Sequence, residues 1–252
     1  MKSAEEIRNA VEKRYAEIAR SGSSCCGDQP LVQIGYAKEE LQALPEPALM
    51  GLGCGNPVRL AGIREGETVV DLGSGGGIDV FLAARQVGPS GRVIGVDMTA
   101  EMLARAQENA ERLGLTNVEF RQGLIERLPL ADSSVDLILS NCVINLAPDK
   151  GAVFREAFRV LKPGGRLVVS DMVARGELRG EIRENPELWA SCIGGALPED
   201  EYLETVRRAG FVPVEVLTRE GLERDHVYSV TVRAGKPEGT EGRERSDHER
   251  RA

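Results

Sequence analysis

From Glu67 onward the chain alternates short, almost wholly apolar runs with longer segments of helical period. No other feature restricts its fold as much. Thr68-Val69-Val70-Asp71-Leu72 reads as a buried strand, and a helix from Gly77 turns Val80, Phe81, Ala84 and Val87 inward. Residues 92–97 form a second strand. The next helix carries Leu103, Ala106, Ala110 and Leu113, with Thr99 placed to cap it. Residues 117–121, 135–139 and 166–170 supply three more strands. A helix with Val153, Phe154, Ala157, Phe158 and Leu161 precedes the last of these, which is entered through Lys162-Pro163-Gly164-Gly165. Strands separated by helices of about ten to fifteen residues build βαβ units and a parallel sheet. Strands this apolar fit a sheet covered on both faces.

The flanks read differently. Ile7, Val11, Tyr15 and Ile18 make one apolar stripe on a helix over residues 4–20. Residues 29–62, with Pro45, Pro47 and Pro57, suggest short helices and loops. Beyond residue 175 helices return around Trp189 and from about Glu199, and the stretches near Val214 and Val227 are candidate closing strands. The expected division is an N-terminal helix and cysteine-bearing loop or lid at 1–62 and a cofactor-binding core at 63–175. Substrate-side helices and closing strands follow at 176–234. A charged tail at 235–252, nearly free of apolar residues, is expected to be disordered.

Bulk properties narrow the function. The 252 residues suffice for one large α/β domain with appendages. A net charge of −8 argues against nucleic acid or an anionic membrane as partner. No apolar run approaches the roughly 18 residues of a membrane span, and the first residues lack the apolar core of a signal peptide. A cytoplasmic location is expected, where thiols stay reduced. The chain has five cysteines and no C-x-x-C spacing, so neither a disulfide framework nor a zinc ribbon is expected.

Asp71-Leu72-Gly73-Ser74-Gly75-Gly76-Gly77 closes the first strand and opens a helix. Glycines there permit a sharp turn and close approach to a ligand. The order is G-x-G-x-G, not the G-x-G-x-x-G dinucleotide pattern, and no P-loop Lys-Ser/Thr follows. Asp97 ends the second strand, where a carboxylate can accept hydrogen bonds from ribose hydroxyls.

The loop, Gly95-Val96-Asp97-Met98, Leu128-Pro-Leu-Ala-Asp-Ser-Ser-Val-Asp136 and Val160-Leu-Lys-Pro-Gly-Gly165 together resemble the successive motifs of class I S-adenosylmethionine-dependent methyltransferases. That resemblance, over residues 55–171, implies an α/β fold: a Rossmann-like, mostly parallel, seven-stranded sheet with helices on both faces. The helical N-terminal extension and a small helical insertion on the substrate side would add to it. It implies that Asp71, Gly73, Ser74 and Gly75 border the methionine part of S-adenosylmethionine, and that Asp97 and Met98 hold the ribose. Gly123, Leu124 and Ile125 would lie beside the adenine, and Asn141 near the methionyl group.

Methyl transfer to oxygen or nitrogen usually needs a base, yet the chain has two histidines, His226 and His248, both near its C-terminal end. An acceptor with a free lone pair needs no base. Trivalent arsenic on thiolates is one, and thiolates are its preferred soft ligands. Cys142 follows the fourth strand and should face a ligand at the strand ends. Cys192 sits at the end of a helix before Gly194-Gly195. Cys54, between two glycines, is open to approach from either side, and Cys25-Cys26 occupy a Ser/Gly loop. Packing would account for Cys142 and Cys192 as small buried hydrophobes, and surface exposure for the doublet.

Gly53-Cys54-Gly55-Asn56-Pro57, Ser140-Asn-Cys-Val-Ile-Asn-Leu146 and Ser191-Cys-Ile-Gly-Gly-Ala-Leu197 resemble the arsenite methyltransferases over residues 15–211. This resemblance implies that Cys54, Cys142 and Cys192 bind arsenic(III), and that Cys25 or Cys26 pairs with Cys54 during turnover. It implies arsenite or its thiol adducts as substrate and a thiol such as glutathione or thioredoxin as reductant. Two alternatives share parts of the pattern. A methyltransferase for a small organic acceptor would use the cysteines only as packing. A non-catalytic metalloid-binding protein would not need the glycine loop.

Overall fold

The computed structural model describes residues 3–22, 31–221 and 227–239. Helix α1 (Ala4–Ser21) begins at a reciprocal cap: the Ser3 hydroxyl accepts the Glu6 N–H, and the Glu6 carboxylate accepts that of Ser3. Two short helices, α2 (Lys38–Gln42) and α3 (Pro57–Leu60), punctuate an otherwise irregular segment. The alternation follows as read: β1 (Thr68–Leu72), α4 (Ile78–Val87), β2 (Arg92–Asp97), α5 (Ala100–Leu113), β3 (Val118–Gln122), β4 (Val135–Asn141), α6 (Lys150–Val160) and β5 (Leu161–Ala174). Three helices, α7 (Gly180–Arg183), α8 (Pro186–Ala190) and α9 (Glu199–Arg208), lead to β6 (Val214–Glu220) and β7 (Val227–Gly235).

The seven strands form one sheet in the order β3-β2-β1-β4-β5-β7-β6. The first five are parallel, and β7 runs antiparallel between β5 and β6. Alternate residues of one strand enter opposite cores. Val70 and Leu72 pack with Phe154, Val160 and Phe211, whereas Val69 packs with Phe81, Ala84 and Val87. Helices therefore cover both faces, which is why the middle residues of the inner strands are mostly apolar. The parallel register puts the carboxyl ends of β1, β2 and β4 side by side, with Asp71 opposite Gly95 and Leu72 opposite Ser140. The glycine loop, Asp97 and Cys142 accordingly emerge along one edge.

Three details depart from the sequence reading. The fifth strand starts at Leu161, because the Pro-Gly-Gly turn does not interrupt it: Leu161 pairs with Val135 and the register shifts between Val135 and Leu137. Thr99 occupies the cap position of α5, but its side chain bonds no helix N–H. Its backbone N–H instead donates to Asp97 Oδ1 at 2.8 Å. The expected tail begins too early, since Gly235 still pairs with Arg166 inside the sheet. Residues 240–252 lie outside the described residues.

Arg166 on β5 clasps Glu67, at the entry to β1, through two hydrogen bonds of 2.7 and 2.8 Å. Burial raises the Glu67 carboxyl, but the Arg166 and Arg64 contacts outweigh it and hold the group below the ordinary 4.5. A depressed carboxyl stabilises the fold above its unfolded value and loses that contribution as pH falls through the folded value. Glu67→Gln is therefore expected to cost about 1 kcal/mol at neutral pH. In urea denaturation the gap to the wild type should close as pH drops below 4.5. A gap independent of pH would contradict this assignment.

Candidate active site

The strand ends open into a cleft enclosing about 1110 Å³ of space, part of it continuous with solvent. That is ample for a nucleotide-sized ligand. Asp71, Gly73, Ser74, Gly75, Asp97, Met98, Gly123, Leu124, Ile125 and Asn141 all line it, as do Cys142 and Cys192. Asp97, at the end of β2, accepts the Gly75 N–H at 2.9 Å as well as that of Thr99. Burial raises its carboxyl despite these bonds. Each oxygen keeps lone-pair capacity for a further donor.

The inner end of the cleft is acidic. Asp71 is buried, and burial together with the charges of Asp79 and Asp97 raises its carboxyl well above the ordinary range. Asp79, in the first turn of α4, is raised by burial to about 6, although hydrogen bonds from Tyr36 and Asn141 pull it down. The Tyr36 Oη donates to Asp79 Oδ1 at 2.7 Å. Three clustered carboxyls that repel one another suit a cationic ligand. S-adenosylmethionine, with its ammonium and sulfonium, is cationic at the end that the resemblance places here. The buried Ser74 hydroxyl also lacks a hydrogen-bond partner. The donor set fits the expected cofactor.

The thiol end adjoins this region. Cys54, Cys142 and Cys192 are free thiols from three distant segments. Cys142 packs in one cluster with Cys54 and Cys192. The Cys192 and Cys54 side chains beside it, with burial, hold the Cys142 thiol well above the ordinary 9.0. Interaction with Cys142 lowers Cys54, yet burial and the nearby Asp171 leave it raised. Cys192 Sγ donates to the Cys142 carbonyl at 3.2 Å, and the Tyr15 hydroxyl of α1 lies 3.9 Å from Cys192 Sγ. Among the described residues, no three His, Cys, Asp or Glu side chains are arranged to hold a metal ion. The three thiols pack in one cluster, and their sulfurs would have to turn toward a shared atom.

The backbone marks two of these thiols. Cys142 has φ 61° and Cys192 φ 63°, both in the left-handed region. A residue with a side chain is strained there, and such strain concentrates at functional sites. Packing alone does not call for it. The helix expected to end at Cys192 stops earlier, at Ala190, so Cys192 follows it.

Cys54 differs from its expected setting as well. Its flanking glycines do not open it to approach from two sides. They let the chain run tightly beneath β4 and β5: a Cβ on Gly53 would come within 2.8 Å of Asn141 Nδ2, and one on Gly55 within 2.6 Å of Ser170 Oγ. Asn141 fastens this segment, accepting the Cys54 N–H at 3.0 Å and donating to the Gly55 carbonyl at 2.7 Å. It also donates to Tyr36 Oη and Asp79 Oδ2. One amide thus joins the acidic end of the cleft to the thiols.

Sequence reasoning missed several contributors. Asp79 and Tyr36 emerge only when α4 and the segment before α2 pack together. Behind the thiols, Asp171 is raised by burial to about 7, while the Met172 N–H, Lys150 and Tyr202 pull it down. Lys150 is lowered by burial to about 8, against the pull of Asp171. A lysine as the first residue of a helix was a legible anomaly, because the helix dipole opposes it. Cys25, Cys26, His226 and His248 lie outside the described residues.

Comparison with known proteins gives concordant results. A methyltransferase-domain family model matches residues 63–210. The chain is 41% identical to an arsenite methyltransferase of Halobacterium salinarum, over 92% of this chain and 67% of that protein. It is 40% identical to an arsenite methyltransferase of Aquipseudomonas alcaligenes, over 93% and 74%. The crystal structure of an arsenic(III) S-adenosylmethionine methyltransferase from Chlamydomonas reinhardtii superposes with a TM-score of 0.64 at 37% identity, covering 84% of this chain and 75% of that one.

Proposed function

Because the chain belongs to the arsenite methyltransferase family, we propose that it transfers methyl groups from S-adenosylmethionine to trivalent arsenic held on Cys54, Cys142 and Cys192, a detoxifying reaction. The observation that carries this reading is the meeting of three free thiols, two of them on left-handed backbone, beside an acidic cleft.

The Cys142 and Cys54 thiols, held above their ordinary range, are protonated and need a proton sink to become ligands. Arsenous acid brings its own. Each thiol that bonds to arsenic gives its proton to a departing hydroxyl, which leaves as water. Three As–S bonds form, three As–O bonds break, and no proton goes to solvent. An arsenic–thiol adduct exchanges its ligands equivalently, the external thiols leaving protonated. The absence of a histidine base among the described residues then has no chemical cost.

S-adenosylmethionine, when bound, would supply the methyl group: a C–As bond would form from the arsenic lone pair as the C–S bond breaks and S-adenosylhomocysteine leaves. The chain's residues contribute alignment, which makes the encounter effectively unimolecular. Asp97 would hold the ribose, Asp71 and Asp79 would hold the cationic end, and Asn141 fixes the Cys54 segment beside them. Arsenic emerges formally pentavalent. The Cys25 or Cys26 thiol, the partner we assign to Cys54, can return it to the trivalent state: an S–S bond forms to the Cys54 sulfur, the As–S bond to Cys54 breaks and leaves its electron pair on arsenic, and the attacking thiol's proton goes to solvent. An external thiol of the glutathione or thioredoxin type would then reduce that disulfide. Among the described residues no helix is long and apolar enough to cross a membrane. That is compatible with work in the cytoplasm, where such reductants are abundant.

Calorimetric titration with arsenite tests the ligand set. One arsenic should bind per chain, and the heat should not vary between buffers of different ionisation enthalpy. A buffer-dependent heat that reports proton release would contradict the exchange of thiol protons for water.

A further inference from the structure

Cys142 and Cys192 reach the site from different segments, and one side chain joins those segments. Asn145 is fully buried. Its Nδ2 donates to the Cys192 carbonyl at 3.2 Å, and its own carbonyl accepts from Lys150 Nζ at 3.0 Å. Lys150 also donates to the Ala147 carbonyl at 3.1 Å and stands 5.3 Å from the centre of the Trp189 ring. The Trp189 indole N–H donates to the Leu146 carbonyl at 2.9 Å. The loop after Cys192 lies directly on the turn after Cys142: a Cβ on Gly195 would stand 1.9 Å from the Asn145 carbonyl oxygen.

Lys150 occupies its place against two penalties. It is buried, and burial of an ammonium is costly. It also opens α6, where the helix dipole disfavours a cation. Starting α6 does not require it, since the Asp149 side chain accepts the Ala152 N–H as the cap. What Lys150 does is gather the carbonyls of the turn that carries Asn145 and cover Trp189, three residues before Cys192.

We propose that Asn145 and Lys150 are positioning residues for the arsenic ligands: together they hold the Cys192 loop on the Cys142 turn and so set the separation of those two sulfurs. The inference rests on the ligand reading above. Neither residue needs to touch arsenic. Both act by keeping two strained cysteines close enough to chelate, as partners behind a metal ligand do.

The test compares wild type, Asn145→Ala, Lys150→Met and Lys150→Arg. Arsenic retained at equilibrium dialysis is measured by elemental mass spectrometry, and S-adenosylmethionine affinity by calorimetry. Asn145→Ala and Lys150→Met should weaken arsenite binding by about 10–100-fold, raise the KM for arsenite more than they lower kcat, and leave cofactor affinity unchanged. Lys150→Arg should recover part of the loss. Asn145→Ala, which removes only the link to the Cys192 carbonyl, decides the matter if Lys150→Met does not fold. Variants that bind arsenite like the wild type overturn this inference alone. A parallel fall in cofactor affinity also overturns it, because it marks a general packing role. A wild-type chain that binds no arsenite overturns the ligand reading, and this one with it.

Discussion

Cys142→Ser should lower arsenite methylation by about 100-fold or more while S-adenosylmethionine binds as before. Serine is nearly isosteric with cysteine, so the strained turn at φ 61° and the bond from its N–H to the Ser170 carbonyl are kept. What changes is the donor atom. A hydroxyl oxygen is a hard ligand and arsenic(III) a soft centre, so the middle member of the thiol set is lost. Cys142 packs with both other cysteines, and its replacement leaves Cys54 and Cys192 as the only thiols in that cluster able to bind arsenic. Initial rates with arsenite, beside a calorimetric cofactor titration, separate the two halves of this expectation. Undiminished methylation would mean that the cysteines are packing and that the acceptor lies elsewhere.

Asp97→Ala should do the opposite. Hydrogen bonds to a charged acceptor contribute about 1.5–3 kcal/mol each, so losing the ribose contacts should weaken cofactor binding by about 100-fold. The Gly75 and Thr99 N–H groups lose their acceptor as well, which loosens the glycine loop. Arsenite should still bind one per chain, since Asp97 touches none of the thiols. Calorimetry with each ligand in turn reads this directly. Loss of arsenite binding in the same variant would show that the cleft and the thiols are not separable half-sites.

The sheet was legible because its physics is local. Apolar strands and helical stripes announce a two-faced parallel sheet, and the strand ends then converge without further information. The cofactor side was legible for the same reason, as Asp71, the glycines and Asp97 sit in short motifs at strand ends. Harder to read was whatever depends on segments far apart in sequence. Tyr36 and Asp79 lie 43 residues apart and meet in a buried hydrogen bond. Cys192 was placed at the end of a helix because residues before it have helical character, but the chain turns left-handed after Ala190 to reach Cys142. Thr99 has the residue type and position of a helix cap, yet its side chain bonds no helix N–H, which only the folded backbone reveals. Gly53 and Gly55 suggested openness, whereas their lack of side chains serves close packing against Asn141 and Ser170.

The most direct test is to incubate the purified chain with arsenite, S-adenosylmethionine and a thiol, then separate and identify the arsenic species by mass spectrometry. Methylated arsenicals accompanied by S-adenosylhomocysteine, and absent without cofactor, are the expected result. Arsenic recovered only in its inorganic form, with no methylated species above the enzyme-free control, would contradict the proposed function.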